Sequence, residues 1–313
     1  MREELRAAVA EKMGTSIENV VLHEVQKNNG KMMTGLTVRG LLGSNISPCL
    51  YVDQIISSWE NGKSTDETAE EIADMFRSAV MAGGAETPEI SRETVLNGAF
   101  IQVVNAEKNE SQLVDMPHRK FMDLAAIVRS QVNIGLRDGL PSMKVTNQVI
   151  RTFGISEDEL FEAASRNTME RFPLRFMSMA QMMAEMTGLP EEMVYGMEMP
   201  LYVVTNEQKM NGAAALYWPE KIGEFADMIG DDVYVLPSSI HEILLYPVHA
   251  GGDPIMLREM VCEINATEVA PEEVLSDNVY VYKRETRKLS AAHAALPAGK
   301  ENRSWIRQEL NSL

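Results

Sequence analysis

The order of the β-rich runs is the feature that most constrains this fold. Several of these runs follow one another across short polar turns, and Asn28-Asn29-Gly30 separates the first two. Asn and Gly accept the positive φ that a tight hairpin needs. Strands and helices therefore alternate irregularly, unlike the regular alternation of a doubly wound parallel sheet. We predict an α+β fold with mixed, mainly antiparallel sheets, packed helices and one or two closely associated lobes.

Composition shifts divide the chain into three predicted parts. Ala82-Gly83-Gly84-Ala85 followed by Pro88 is the best linker candidate. We expect an N-terminal α+β lobe at 1–85, a larger α+β lobe at 90–290, and a linker with a C-terminal helix at 291–313. Inside the larger lobe, AAALYWP (213–219) and IHEILLYP (240–247) are interpreted as β-rich, whereas FMDLAAIVRSQV (121–132) suits a strand or a helix.

The charge of the chain excludes several partners. Asp and Glu number 46 against 29 Lys and Arg, giving a net charge of −17, while the segment 283–313 is net basic. An acidic body repels phosphate backbones, so we expect no direct nucleic-acid binding by it. The carboxylates indicate an ordinary acidic surface or, alternatively, a decoy that imitates nucleic acid and occupies a DNA-binding protein.

The apolar runs and the cysteines indicate a compartment. No run approaches the roughly 18–20 apolar residues that cross a bilayer, and the first residues lack the apolar region of a signal peptide. The two cysteines, Cys49 and Cys262, are too few for a disulfide framework. We therefore expect a cytoplasmic protein with no membrane partner.

Catalytic motifs are scarce in this sequence. It contains no phosphate-binding loop, GxGxxG, GxSxG, CxxC or HExxH pattern, so we expect no cofactor and no metal. The weak catalytic candidates are two pairs in predicted strands, His23-Glu24 and His241-Glu242. Neighbours on a strand point to opposite faces, so a site would need groups from different strands, for instance His23 with Glu242. The alternative is two hydrogen-bonded structural histidines, and Cys49 is expected to be a small buried thiol with no activating neighbour.

Methionines are concentrated between Met177 and Met199. Met179, Met182, Met183 and Met186 recur at helical spacing. This pattern favours a buried helix face, and the alternatives are an adaptable surface for a protein partner or a Cu(I) site.

The C-terminal segment is a second candidate for partner binding. Trp305, Ile306 and Leu310 form an apolar edge beside basic residues. The alternative is that this predicted helix docks on the acidic body of its own chain.

Several motifs together resemble a known family. They are VLHEVQKNNGKMMTGLTVR with NISPCLYVD, PHRKFMDLAAIV with FGISEDELFEAASRN, and VVTNEQKMNGAAALYWP with DDVYVLPSSIHEILLYP. Over about residues 15–290 the chain resembles an uncharacterised family of unknown function that is widespread in gut clostridia, within the Firmicutes. The resemblance supplies no catalytic residue and implies an accessory role linked to mobile genetic elements.

The sequence thus favours an uncharacterised accessory protein that binds a protein partner. The enzyme question stays open, although the missing motifs favour a non-enzyme. The alternatives are an enzyme of unrecognised class, with a His/Glu site between strands, and the acidic decoy. The sequence leaves the oligomeric state undetermined.

Overall fold

The computed structural model describes residues 2–41, 47–82, 90–131, 142–189 and 200–292. Within these residues the chain forms helices and three antiparallel sheets, so the predicted α+β fold is confirmed. The predicted linker residues 83–88 and the residues from 293 onward lie outside the described part. We call the described residues up to 82 the first lobe, and those from 90 to 292 the larger lobe.

The first lobe packs helices on one face of a three-stranded sheet. Its elements are α1 (Arg2–Met13), β1 (Val20–Gln26), β2 (Met32–Val38), β3 (Cys49–Tyr51), α2 (Asp53–Glu60) and α3 (Thr65–Ala82). The predicted hairpin is confirmed: β1 and β2 pair antiparallel along their whole length, and Asn29 and Gly30 have φ of 57° and 74°. Leu36 of β2 is buried in one core with Leu5 of α1 and Phe76 of α3.

The second sheet opens the larger lobe. Its segment contains α4 (Arg92–Gly98), β4 (Ala99–Asn105), α5 (Glu110–Leu113), β5 (His118–Phe121), β6 (Leu124–Gln131), β7 (Ser142–Lys144), α6 (Asn147–Phe153) and α7 (Glu157–Arg171). Strand β6 pairs with β4, β5 and β7. The run that suited a strand or a helix is thus a strand. It lacks polar alternation because both of its faces are buried, Val128 in the main core and Ile127 in a smaller cluster with Val104.

The third sheet has six antiparallel strands in the order β13-β12-β10-β11-β9-β8. The segment contains β8 (Leu174–Ser178), α8 (Met179–Thr187), β9 (Tyr202–Asn206), α9 (Pro219–Ile229), β10 (Val233–Leu236), β11 (Ile243–Pro247), α10 (Pro254–Thr267), β12 (Tyr280–Lys283) and β13 (Lys288–Ala291). Apolar residues of the second and third sheets share one core, which is separate from the core of the first lobe.

In the third segment the β-rich prediction for 213–219 is wrong, whereas the one for 240–247 is confirmed from Ile243 onward and wrong for His241 and Glu242. Residues Gly212–Tyr217 form a 3-10 helix that begins after Asn211, whose φ is 56°. His241 and Glu242 precede β11 and lie in a loop, because the His241 carbonyl accepts hydrogen bonds from the Gly212 N–H at 2.9 Å and from Thr205 Oγ1 at 3.0 Å. These bonds attach the loop to the short helix and to β9. The opposite-face argument therefore does not apply to this pair.

None of the helices in the described ranges combines the length and the apolar character that a membrane crossing requires.

Candidate functional site

The tip of the β1–β2 hairpin docks on the larger lobe through amide side chains. Asn29 Nδ2 donates to the carbonyl oxygens of Pro271 at 2.9 Å and Val274 at 2.6 Å. The Asn29 N–H donates to Asn109 Oδ1 at 2.9 Å, and Asn109 Nδ2 donates back to Asn29 Oδ1 at 3.0 Å. We call these four hydrogen bonds the asparagine latch. The latch fixes the hairpin tip, and with it Lys27 and Asn28, against the larger lobe.

A cleft of about 220 Å³ lies beside this latch. Residues from all three sheet-containing segments line it. Among them are Lys27 and Asn28 of the hairpin, Gln102, Arg129 and Lys144 of the second sheet, and Asn211, His241 and Glu273 of loops in the third segment. Its apolar wall includes Val104 and Ile127, which belong to the smaller cluster. The cleft therefore exists only when the segments are assembled.

Strand register places the polar wall of the cleft. Arg129 of β6 is the direct cross-strand partner of Lys144 of β7, and Ile127 of β6 is the partner of Gln102 of β4. Directly opposed residues of an antiparallel pair share a face, as do residues two apart on a strand. These four side chains therefore lie on the same face of the second sheet, and the opposite face carries the main core.

Three cations meet at this cleft without a carboxylate partner in the described part of the chain. Arg129 donates from Nε to Ser142 Oγ at 3.0 Å and from Nη2 to the Ser142 carbonyl at 2.9 Å. Lys144 Nζ donates to the Gln26 carbonyl at 3.0 Å and to Gln112 Oε1. The third cation, Lys27, has its Nζ 3.8 Å from the centre of the Tyr51 ring.

The environment of the cleft changes the pKa values of two cations. Burial lowers the pKa of the Arg129 guanidinium. Burial also lowers the pKa of Lys144 to about 8, with further lowering by the positive charges of Arg129 and Lys27. An arginine still keeps its proton at neutral pH, whereas a lysine with this pKa exchanges its proton near physiological pH.

His241 and Glu273 supply a second polar group at the cleft. The Asn211 N–H donates to His241 Nδ1 at 3.3 Å, so Nε2 carries the ring proton of the neutral tautomer and lies 3.3 Å from Glu273 Oε1. Burial raises the pKa of the neighbouring Glu242, and the charge of Glu273 adds to this rise while His241 opposes it. Glu242 is not among the residues that line the cleft.

The first predicted pair lies elsewhere. His23 and Glu24 are exposed in the middle of β1, and neither lines the cleft. The structure therefore does not bring His23 into the cleft with His241.

Cys49 was expected to be buried without an activating neighbour, but it is half-buried and its Sγ lies 4.0 Å from His23 Nε2. Gly35 makes this approach possible, because a Cβ there would stand 2.6 Å from the Cys49 sulfur.

The methionine helix is more exposed than predicted. Met179, Met182 and Met183 are half-buried on α8, and Met186 is 69% exposed. The prediction of a buried face is therefore wrong for Met186, which is mostly exposed, and α8 has no fully buried residue.

The residues of the predicted C-terminal edge, Trp305, Ile306 and Leu310, lie outside the described residues. Within the described ranges, no group of three or more His, Cys, Asp or Glu side chains could hold a metal ion.

Sequence reasoning missed the cations of the cleft. Arg129 is the charged residue of a strand that is otherwise largely buried, LAAIVRSQ, and this contrast is a usable signal. Lys27 and Lys144 carry no comparable signal, because each lies in a polar neighbourhood of the sequence and approaches Arg129 only in the folded chain.

Comparison with known protein families gives a match over most of the chain. A family model described as a family of unknown function, DUF5688, matches residues 1–284. No curated protein and no solved structure matches the chain.

Proposed function

The chain belongs to the DUF5688 family, whose function is unknown, and from its own geometry we propose that it is an accessory protein that binds a small carboxylate in the cleft. The single observation that carries the proposal is the convergence of Lys27, Arg129 and Lys144 on one cleft of an acidic chain. An accessory role continues the prediction made from the sequence, and the cleft adds a ligand class to it.

The energetics of the three cations favour an anionic ligand. A partly buried cation without an opposite charge loses hydration that its hydrogen bonds replace only in part. Arg129 and Lys144 are cross-strand neighbours, so their like charges also repel each other. A carboxylate between them would relieve both costs, and an arginine guanidinium binds carboxylates through paired hydrogen bonds.

The overall charge of −17 acts against anion binding, but over a longer distance. At physiological ionic strength the Debye length is about 8 Å, so surface carboxylates farther away are largely screened. Charges in direct contact with a ligand in a partly buried cleft are screened much less. Two carboxylates, Glu272 and Glu273, also line the cleft, so its three cations outnumber its carboxylates by one.

The size of the cleft limits the ligand. Its volume of about 220 Å³ is below the roughly 300–1,000 Å³ of clefts that enclose drug-sized molecules. A short carboxylic acid suits this volume.

Isothermal titration calorimetry with lactate, succinate and inorganic phosphate tests the proposal. We expect the full chain to bind at least one of the carboxylates, and Arg129→Gln to weaken that binding about tenfold or more, since a hydrogen bond to a charged group contributes about 1.5–3 kcal/mol. Arg166→Gln makes the same charge change at an exposed residue of α7 and should leave affinity unchanged. Absence of binding, or equal affinity in both variants, would contradict the proposal.

A protein partner is the second candidate function. The observation that favours it is the exposed apolar surface at the end of α8, where Met186 is 69% exposed and Leu189, two residues beyond the helix, is 50% exposed. Pull-down of the tagged chain at low and moderate salt, with Met186→Glu as the variant, tests this surface. Met228→Glu is the matched control, because Met228 on α9 is 72% exposed. Removing residues after Ala292 tests the C-terminal segment.

Other predictions made from the sequence remain predictions. They are a cytoplasmic location, an origin in gut clostridia, a link to mobile genetic elements and the acidic decoy. The enzyme alternative gains one observation, because His241 and Glu273 line the same cleft as Lys144.

A further inference from the structure

Lys144 has the position of a nucleophile rather than that of a simple charge. Its Nζ donates to the Gln26 carbonyl and to Gln112 Oε1, and both acceptors are neutral. A neutral lysine amine has two N–H donors and one lone pair, so these two bonds satisfy the neutral form completely. The lone pair is then left for a ligand in the cleft that Lys144 lines.

The surroundings of Lys144 also favour its neutral form. Burial and the charges of Arg129 and Lys27 lower its pKa to about 8, whereas the ordinary value is 10.5. About a tenth of the amine is therefore unprotonated at pH 7, compared with well under a thousandth for an ordinary lysine. Burial and neighbouring cations are the usual means by which proteins activate a lysine toward carbonyl groups.

Arg129 supplies the second half of the arrangement. It is the cross-strand partner of Lys144, and its guanidinium is oriented by two hydrogen bonds to Ser142. Because directly opposed residues have Cβ atoms about 5 Å apart, a carboxylate bound to Arg129 would bring the adjacent carbon of a short acid within reach of the amine. In an α-keto acid, this adjacent carbon is the electrophilic carbonyl carbon.

We propose that Lys144 forms an imine with the carbonyl group of a small α-keto acid whose carboxylate is held by Arg129. The inference rests on the proposed carboxylate binding and names the substrate class of the same cleft. It assigns Lys144 a covalent role and Arg129 a binding role.

The reaction balances without an oxidant or a reductant. The Lys144 lone pair forms the N–C bond while the carbonyl π electrons move to oxygen, and one proton passes from nitrogen to that oxygen, giving a carbinolamine. The C–O bond then breaks, the oxygen leaves as water with the remaining proton of the nitrogen, and the nitrogen lone pair forms the C=N bond of a neutral imine. His241 and Glu273 line the cleft and are the protein groups available to exchange these protons.

Reductive trapping tests the proposal on the full chain. Limiting pyruvate and sodium cyanoborohydride convert an imine into a stable secondary amine, and peptide mapping by mass spectrometry locates it. We expect Lys144 to be modified at least about tenfold faster than Lys288, an exposed lysine of β13. Lactate, which has the carboxylate but no carbonyl, should slow the labelling of Lys144. The Arg129→Gln variant should lose the preference for Lys144, and Lys144→Arg should lose the label at that position.

The outcomes separate this inference from the proposed function. Labelling of Lys144 no faster than that of Lys288, in a chain that binds lactate through Arg129, would overturn the covalent role and leave carboxylate binding intact. Absence of both labelling and lactate binding would overturn both. Circular dichroism of each variant establishes that the change in labelling does not come from unfolding.

Discussion

Replacing Asn29 by Ala tests how the hairpin is attached to the larger lobe. The change removes three side-chain hydrogen bonds, to Pro271, Val274 and Asn109. At about 0.5–1.5 kcal/mol each, with one acceptor at the surface, they contribute about 2–3 kcal/mol to the free energy of unfolding. Asn29 also has a φ of 57°, and an alanine in that region costs about 1 kcal/mol more. We expect a total loss of about 3–4 kcal/mol.

Asn29→Gly separates these two contributions. Glycine loses the same three bonds but accepts positive φ, so its loss should be smaller than that of alanine by about 1 kcal/mol. Urea denaturation gives both values.

Tryptophan fluorescence can follow each lobe separately. Trp59 belongs to the core of the first lobe and Trp218 packs against that of the larger lobe, so variants that keep one of them, each with Trp305→Phe, report one lobe. Weakening the latch should separate the two transitions. A loss below about 0.5 kcal/mol, or equal losses for alanine and glycine, would refute this account of the latch.

Three further predictions concern stability. The free energy of unfolding should rise with pH between about 8 and 10.5, because in this window the unfolded chain still binds the Lys144 proton that the folded chain has released, and Lys144→Met should flatten that rise in urea titrations. Gly35→Ala should cost about 1–3 kcal/mol, since its Cβ would lie 2.6 Å from the Cys49 sulfur, and a second change, Cys49→Ala, should recover part of the melting temperature. Asp123→Ala should cost about 2–4 kcal/mol in urea, because Asp123 accepts a 2.6 Å hydrogen bond from the buried Tyr280 hydroxyl; a smaller effect would contradict this.

Local signals in the sequence predicted the fold better than the site. The turn at Asn28-Asn29-Gly30 follows from local turn chemistry, and it is confirmed. The strand prediction for 213–219 failed because an apolar run of this length suits a buried short helix as well as a strand.

The cleft depends on contacts between residues that are distant in the sequence. Lys27 and Lys144 are separated by more than a hundred residues, and the latch together with the β6–β7 pairing brings them to one cleft. Composition and spacing carry no record of such contacts. His23 and His241 were selected as members of His-Glu pairs in predicted strands, and of the two only His241 lines the cleft.

The titration of Lys144 tests the central claim most directly. Nuclear magnetic resonance of lysine-labelled protein, with Lys144→Arg to assign the signal, gives its pKa with and without saturating lactate. We predict a pKa of about 8 in the free chain and a higher value with lactate, because a bound carboxylate favours the protonated amine. An ordinary lysine pKa in the free chain, or the same pKa with and without lactate, would contradict the account of the cleft as an anion site.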